Sequence, residues 1–139
     1  MKLFCSASNA KFNNDKVKAF SVSGRDTWDN WRLTLTRLQI RHLHSVEDDA
    51  SIIYLGFPLI QSRIQRVNIM AGLVAKLKSS VELHATRSLS VVDRATFLNS
   101  LILSKLWYIL RVTPLTGADF KQLRSVAIQF LRRSIFPVI

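Results

Sequence analysis

The sequence predicts an α+β fold, a small β part followed by a bundle of at least three helices, and three observations carry that expectation. Up to Ile60, apolar residues alternate with polar ones or sit in short runs around turn residues. From Gln65 onward they recur at helical spacing in three successive segments. Residues suited to helix N-caps stand ahead of the later segments.

The elements follow in order. Met1 to Asn14 opens without a cap, as if an element were entered midway. Val17 to Ser23 alternates as a strand does and is closed by the turn signal at Gly24. Asp26 or Thr27 can cap a helix with Trp28, Trp31, Leu35, Leu38 and His42 on one face, although Leu33 and Leu35 also admit a strand. His44 to Ser51 reads as an acidic, polar loop. Ser51 to Ile60 holds two β-like runs around Gly56 and Pro58, which reads as a tight hairpin.

The period then becomes helical. Val67, Met70, Val74, Leu77 and Val81 line one side of a helix from about Gln65 to His84, flanked by Arg66 and Lys78, with Lys76 facing away. Ser90 and Asp93 form a capping pair for a helix over Val91 to Val112. Its apolar arc leaves only a strip around Thr96, Ser100 and Ser104 polar, so packing on two sides is expected. Pro114 stops it. Thr116 and Asp119 cap a last helix, with Phe120, Leu123, Ala127, Phe130 and Leu131 inward. Lys121, Gln122, Ser125, Gln129, Arg132 and Arg133 face outward. The organisation expected is a β-containing region over 1–60 and a basic helical region over 61–139.

The 139 residues carry 20 Lys+Arg against 9 Asp+Glu, a net charge of +11. Residues 1–50 hold eight basic and six acidic side chains, whereas residues 51–139 hold twelve basic ones against Glu82, Asp93 and Asp119. Such a field attracts polyanions, nucleic-acid phosphates above all. The single Cys5 excludes an internal disulfide and suits a reducing compartment. The apolar patch Leu3 to Cys5 is too short for a signal-peptide core, and Leu98 to Val112 is broken by Lys105 and Arg111. The expectation is an intracellular protein, cytoplasmic or nuclear, neither secreted nor membrane-bound.

Catalytic motifs are missing. Zinc sites usually show close-set ligand pairs; His42 and His44 stand poorly together on a helix, and Cys5 and His84 are remote, so no metal site is expected. Glu47, Asp48 and Asp49 form an acidic cluster in a polar run, read as a solvated loop. No glycine-rich phosphate loop and no partnered nucleophile is present. The basic residues say more. Arg63, Arg66, Lys76, Lys78, Arg87 and Arg94 fall within or beside two successive helices, the density that phosphate contacts need. Trp28, Trp31, Phe57, Trp107 and Tyr108 are able to stack on bases, but core packing is expected for all except Phe57. Lys105 sits near an apolar arc, where snorkelling accounts for it.

The strings ASNAKFNNDKVKAFSVSG, IIYLGFPLI and LSVVDRATFLNSLILSKLWYILRVTPL resemble reverse transcriptases of non-LTR, LINE-like retrotransposons, fungal copies most of all. The resemblance covers nearly the whole chain and matches the region downstream of that family's aspartate pair. It implies a palm-edge segment with a primer-gripping hairpin at Tyr54, Leu55, Gly56 and Phe57, followed by a thumb-like helical region that tracks template–primer. It also implies that Asn13, Asn14 and Lys16 fall in a palm motif whose lysine, Lys16 here with Lys11 as the alternative, helps protonate the leaving pyrophosphate. The family's magnesium-binding aromatic-Ala-Asp-Asp turn has no counterpart in this chain, and Asp48 and Asp49 lie on the wrong side of the lysine motif. Val17 stands where the family usually has Ser or Thr, and Asp93 where it usually has Gly.

The expectation is therefore a truncated fragment, derived from an RNA-directed DNA polymerase, inactive alone and without a cofactor. It would retain sequence-independent affinity for RNA or RNA–DNA hybrid. Two rival readings are a decayed reading frame without selected function, prone to self-association through exposed apolar surface, and a helical module that binds a protein. Because Arg66 and Lys78 flank the apolar stripe, reversing both charges is expected to weaken nucleic-acid binding and leave helix content intact.

Overall fold

The structure, a computed structural model, describes residues 7–8, 13 and 16–132. It is α+β, a β-hairpin followed by a helical bundle, with a parallel strand pair ahead of them. Two compact units divide the chain, Met1–Asp48 and Asp49–Ile139. Lys11, Asn14 and Arg133 lie outside the described residues.

In the first unit, strand β1 (Ala19–Phe20) pairs in parallel with β2 (Leu43–His44), and helix α1 (Trp28–Arg37) connects them. The strand expected over Val17 to Ser23 is cut to two residues because its pairing ends there. The Ser21 N–H donates to the His44 carbonyl, and Gly24, at φ 77°, then turns the chain so that its carbonyl accepts from Val46 N–H. A Cβ at Gly24 would meet Val46 Cγ1 at 2.9 Å, so glycine is required there for both conformation and space. The polar run from His44 is thus partly strand, with Leu43 and Ser45 buried. Thr27 occupies the N-cap of α1 without a side-chain bond, while Asp26 accepts from the Trp28 N–H at 2.9 Å. Leu35 alone of the expected apolar face is buried; Trp31 and Leu38 are exposed, and the helix ends before His42.

The second unit opens with strands β3 (Ile52–Tyr54) and β4 (Phe57–Leu59), an antiparallel pair in the register Ile52↔Leu59 and Tyr54↔Phe57. Leu55 and Gly56 make its two-residue turn at φ 50° and 84°, the pair of positive values that a type I′ turn requires. Tyr108 clamps this turn. Its hydroxyl donates to the Leu55 carbonyl at 2.9 Å, and its ring stacks on Phe57 with centroids 4.1 Å apart.

Helix α2 (Arg63–Ala85) starts at Ser62, whose hydroxyl accepts from Gln65 N–H, while the Gln65 amide oxygen accepts from Gln61 N–H. Its buried line is Gln65, Met70, Leu73, Val74, Leu77 and Val81. Val67 is exposed, so Leu73 takes the place expected for it in the stripe. Helix α3 (Val91–Phe97) begins with the expected Ser90–Asp93 capping box. It runs into a π-helical segment, Leu98–Leu103, and then α4 (Ser104–Leu110).

The sequence explains that widening. Buried residues fall at Arg94, Leu98, Ile102 and Leu106, and hydroxyls at Thr96, Ser100 and Ser104. Both lines have a period of four, which drifts by about 40° per step on an ordinary α-helix. A wider turn removes much of the drift. Each hydroxyl also donates to the carbonyl four residues back, Thr96 to Val92, Ser100 to Thr96 and Ser104 to Ser100, which loosens the regular ladder. Val92, Leu101 and Trp107 are exposed, while Phe97, Leu103, Ile109 and Leu110 pack half-buried against the core beside the buried line and Tyr108 meets the hairpin.

Helix α5 (Gly117–Arg132) lies against α2, with Leu123, Val126 and Phe130 buried. Phe120, expected inward, is exposed, and Val126 is buried in its stead. Leu77 and Phe130, each 1% exposed, sit in the core with Leu98, Ile102 and Leu106. Burying each contributes about 1.5–3 kcal/mol.

Leu55 holds a left-handed conformation that costs a side-chain-bearing residue about 1–2 kcal/mol, whereas Asn adopts it readily. Leu55→Asn is expected to stabilise the second unit by about 1 kcal/mol and raise its melting temperature by several degrees, read by circular dichroism. An unchanged or lower melting temperature would show that the exposed leucine side chain contributes more than the turn strain removes.

Candidate nucleic-acid interface

Each basic residue singled out in the sequence finds a distinct environment. Arg63, Lys76 and Lys78 on α2 are exposed, as a phosphate contact needs. Arg87, just past the helix, is exposed with its guanidinium 5.9 Å from the Phe97 ring centroid; the His84 ring packs on Phe97 edge-on at 4.2 Å. Lys105 is exposed, beside the hydroxyl line.

Two of the expected contacts are corrected. Arg94 is 5% exposed and lies in the buried line of its helix. Arg66 is turned inward, its Nη1 donating to Asp119 Oδ2 at 2.7 Å and to the Pro114 carbonyl at 3.3 Å. Helical spacing places both near the faces of their helices, but neither head group is presented to solvent. Reversing Arg66 would therefore break a tertiary ion pair, and a double variant with Lys78 does not isolate binding.

Asp119 Oδ2 also accepts from the Thr116 N–H at 2.9 Å and the Thr116 hydroxyl at 2.6 Å, while the Asp119 N–H donates to Thr116 Oγ1. This is the cap that the sequence predicts for α5. The Thr116 hydroxyl, then the Arg66 guanidinium and the Thr116 N–H, hold the Asp119 carboxyl at about 2, well below its ordinary 3.8.

The outward face expected for α5, with Lys121, Ser125, Gln129 and Arg132, carries a further cation that the sequence reading left off it, Arg124. Lys121, Arg124, Ser125, Ile128, Gln129 and Arg132 border one shallow surface depression. The spacing Lys121, Arg124, Arg132 was legible as steps of three and eight on one helical face. Lys78 adjoins this helix as well, lining a groove with Val81, Glu82, Val126, Gln129, Phe130 and Arg132.

The residues that the family resemblance brings forward are placed as follows. Tyr54 is exposed at the hairpin end, Gly56 lies against Tyr108, and Phe57 is half-buried under the Tyr108 ring. Phe57 is therefore packed on one face, while Trp31, Trp107 and Tyr108, expected in the core, are exposed. Lys16 is exposed, its N–H donating to the Asn13 carbonyl in a tight turn. Asp48 accepts from Ser45 N–H and His42, and Asp49 offers its carbonyl to Asn68. Among the described residues no helix is long and apolar enough to cross a membrane. No family model, curated protein or solved structure matches the chain.

A group whose folded pKa is depressed stabilises the fold above its unfolded pKa and loses that contribution as pH falls through the folded value. Asp119 is thus expected to contribute about 2 kcal/mol at neutral pH, lost between about pH 4 and pH 2. Asp119→Asn should show lower stability at pH 7 in urea unfolding and should lack that acid step. An identical acid step in the variant would assign it to other carboxylates.

Proposed function

We propose that the chain binds RNA or RNA–DNA template–primer without sequence preference, as a thumb-like fragment of a non-LTR reverse transcriptase. One observation carries the binding reading. Of the three acidic residues within 51–139, Asp93 is tied into its capping box and Asp119 into Thr116 and Arg66, which leaves Glu82. Against that single carboxylate stand the exposed cations Arg63, Lys76, Lys78, Arg87, Lys121, Arg124 and Arg132. An ordinary solvated surface intersperses both signs; here cations predominate, and two of the three acids are tied into helix caps.

The family assignment rests on the three sequence strings, and the exposed Tyr54 and Leu55 at the hairpin end are compatible with a surface that meets a primer terminus. The chain contains no aromatic-Ala-Asp-Asp turn, and no nucleotidyl transfer is proposed for its residues.

Fluorescence anisotropy of the tag-free chain with a labelled RNA–DNA hybrid tests this. With about five phosphate contacts, affinity should fall roughly 10²–10³-fold between about 50 and 200 mM salt. Lys121→Ala with Arg124→Ala should lower the log–log salt slope by about two, with helix content unchanged. Preference for hybrid over duplex DNA would favour the thumb reading over general basicity. Salt-insensitive binding would instead favour a protein-interaction module, and aggregation without defined affinity a decayed reading frame.

A further inference from the structure

Within the first unit three side chains converge, Asp48 being brought to the two histidines by the turn after β2. His42 precedes β2, His44 is its second residue, and Asp48 closes the turn that follows. His42 Nε2 lies 2.8 Å from Asp48 Oδ1, and His44 Nδ1 lies 3.7 Å from Asp48 Oδ2. The two imidazoles meet edge to face with centroids 4.7 Å apart, because residues two apart lie on one face of an extended segment.

One ligand-capable atom from each of the three lies within 4.8 Å of the other two. Atoms bound to one tetrahedral zinc ion at about 2.0–2.1 Å stand roughly 3.3 Å apart, so a small rotation of the side chains closes the set. The cluster also has an internal defect. The His44 Nδ1 atom is buried and has no hydrogen-bond partner, because 3.7 Å to the carboxylate is too long for a bond. An orphaned buried nitrogen costs about 1–3 kcal/mol. The carboxylate, by contrast, is oriented from outside the cluster by the Ser45 N–H at 2.8 Å, the kind of outer support that ligating carboxylates have.

We propose that His42, His44 and Asp48 bind one divalent transition-metal ion of the zinc class, with a fourth position open to solvent. Two imidazoles with one carboxylate select zinc, cobalt, nickel or copper over magnesium, which prefers oxygen ligands. The ion would satisfy the buried His44 nitrogen and clip the turn after β2 to the strand pair. His42 is more than half exposed, which gives the ion an entry path and makes His42 replaceable without loss of packing.

Titration of the tag-free full chain with Co²⁺, followed by visible absorption and by competition with Zn²⁺, tests the site. The expected result is one equivalent of Co²⁺ with d–d bands of four-coordinate intensity, displaced by Zn²⁺. His42→Gln should weaken binding by about tenfold or more with an unchanged circular dichroism spectrum. His44→Gln should do the same, and retention of affinity in both variants would overturn the proposal. So would the absence of stoichiometric binding to the wild-type chain. A sulfur-to-cobalt charge-transfer band abolished by Cys5→Ser would overturn it too, since the ion would then sit on the thiolate.

Discussion

The second unit depends on what Asp119 holds. One carboxylate oxygen accepts from the Thr116 backbone, the Thr116 hydroxyl and Arg66. Arg66 also reaches the carbonyl of Pro114. The start of α5, the turn before it and the first turns of α2 are thereby fixed at one point. With both helices fixed at that end, Leu77 of α2 and Phe130 of α5 share one core, and the line Leu98, Ile102, Leu106 closes it. A charge-assisted bond is stronger than a neutral one, and removing Asp119 would take the partner of Arg66 and of the Thr116 N–H at once.

The same economy shapes the surface. Acidic side chains are scarce after residue 50, and two of the three serve as helix caps. Caps must be acceptors, because they answer backbone N–H groups at helix starts. The fold therefore draws its few carboxylates to the helix ends and leaves the helix flanks cationic. A basic field here is the residue of a structural demand as much as of a surplus of Lys and Arg.

Much of this was legible in the sequence where the signal is local. Ser90 with Asp93 and Thr116 with Asp119 mark helix starts because a cap needs only residues three apart. Gly56 marks the hairpin because its backbone angle is local as well. The misses are non-local. The parallel pairing of Ala19–Phe20 with Leu43–His44 depends on residues more than twenty positions apart. The inward turns of Arg66 and Arg94 are decided by what lies across the core, and the choice of Leu73 over Val67 by where a neighbouring helix sits. His42 and His44, two apart, share one face of an extended segment, and Asp48 reaches them only through the turn after β2, which no local spacing rule marks. On α5 the helical period puts Lys121 and Arg132 on the outer face, and Arg124, three residues after Lys121, belongs there by the same period.

The π-helical turn has a bearing on the hairpin some fifty residues earlier. A helix carries angular phase, about 100° for each residue. The wide turn at Leu98–Leu103 sets the phase of everything after it, and so the direction in which Tyr108 leaves α4. Tyr108 is what grips Leu55 and covers Phe57. The segment therefore acts as a timing element between two parts of the fold. Removing one residue from it would leave the helix intact and swing the tyrosine away from the turn it latches.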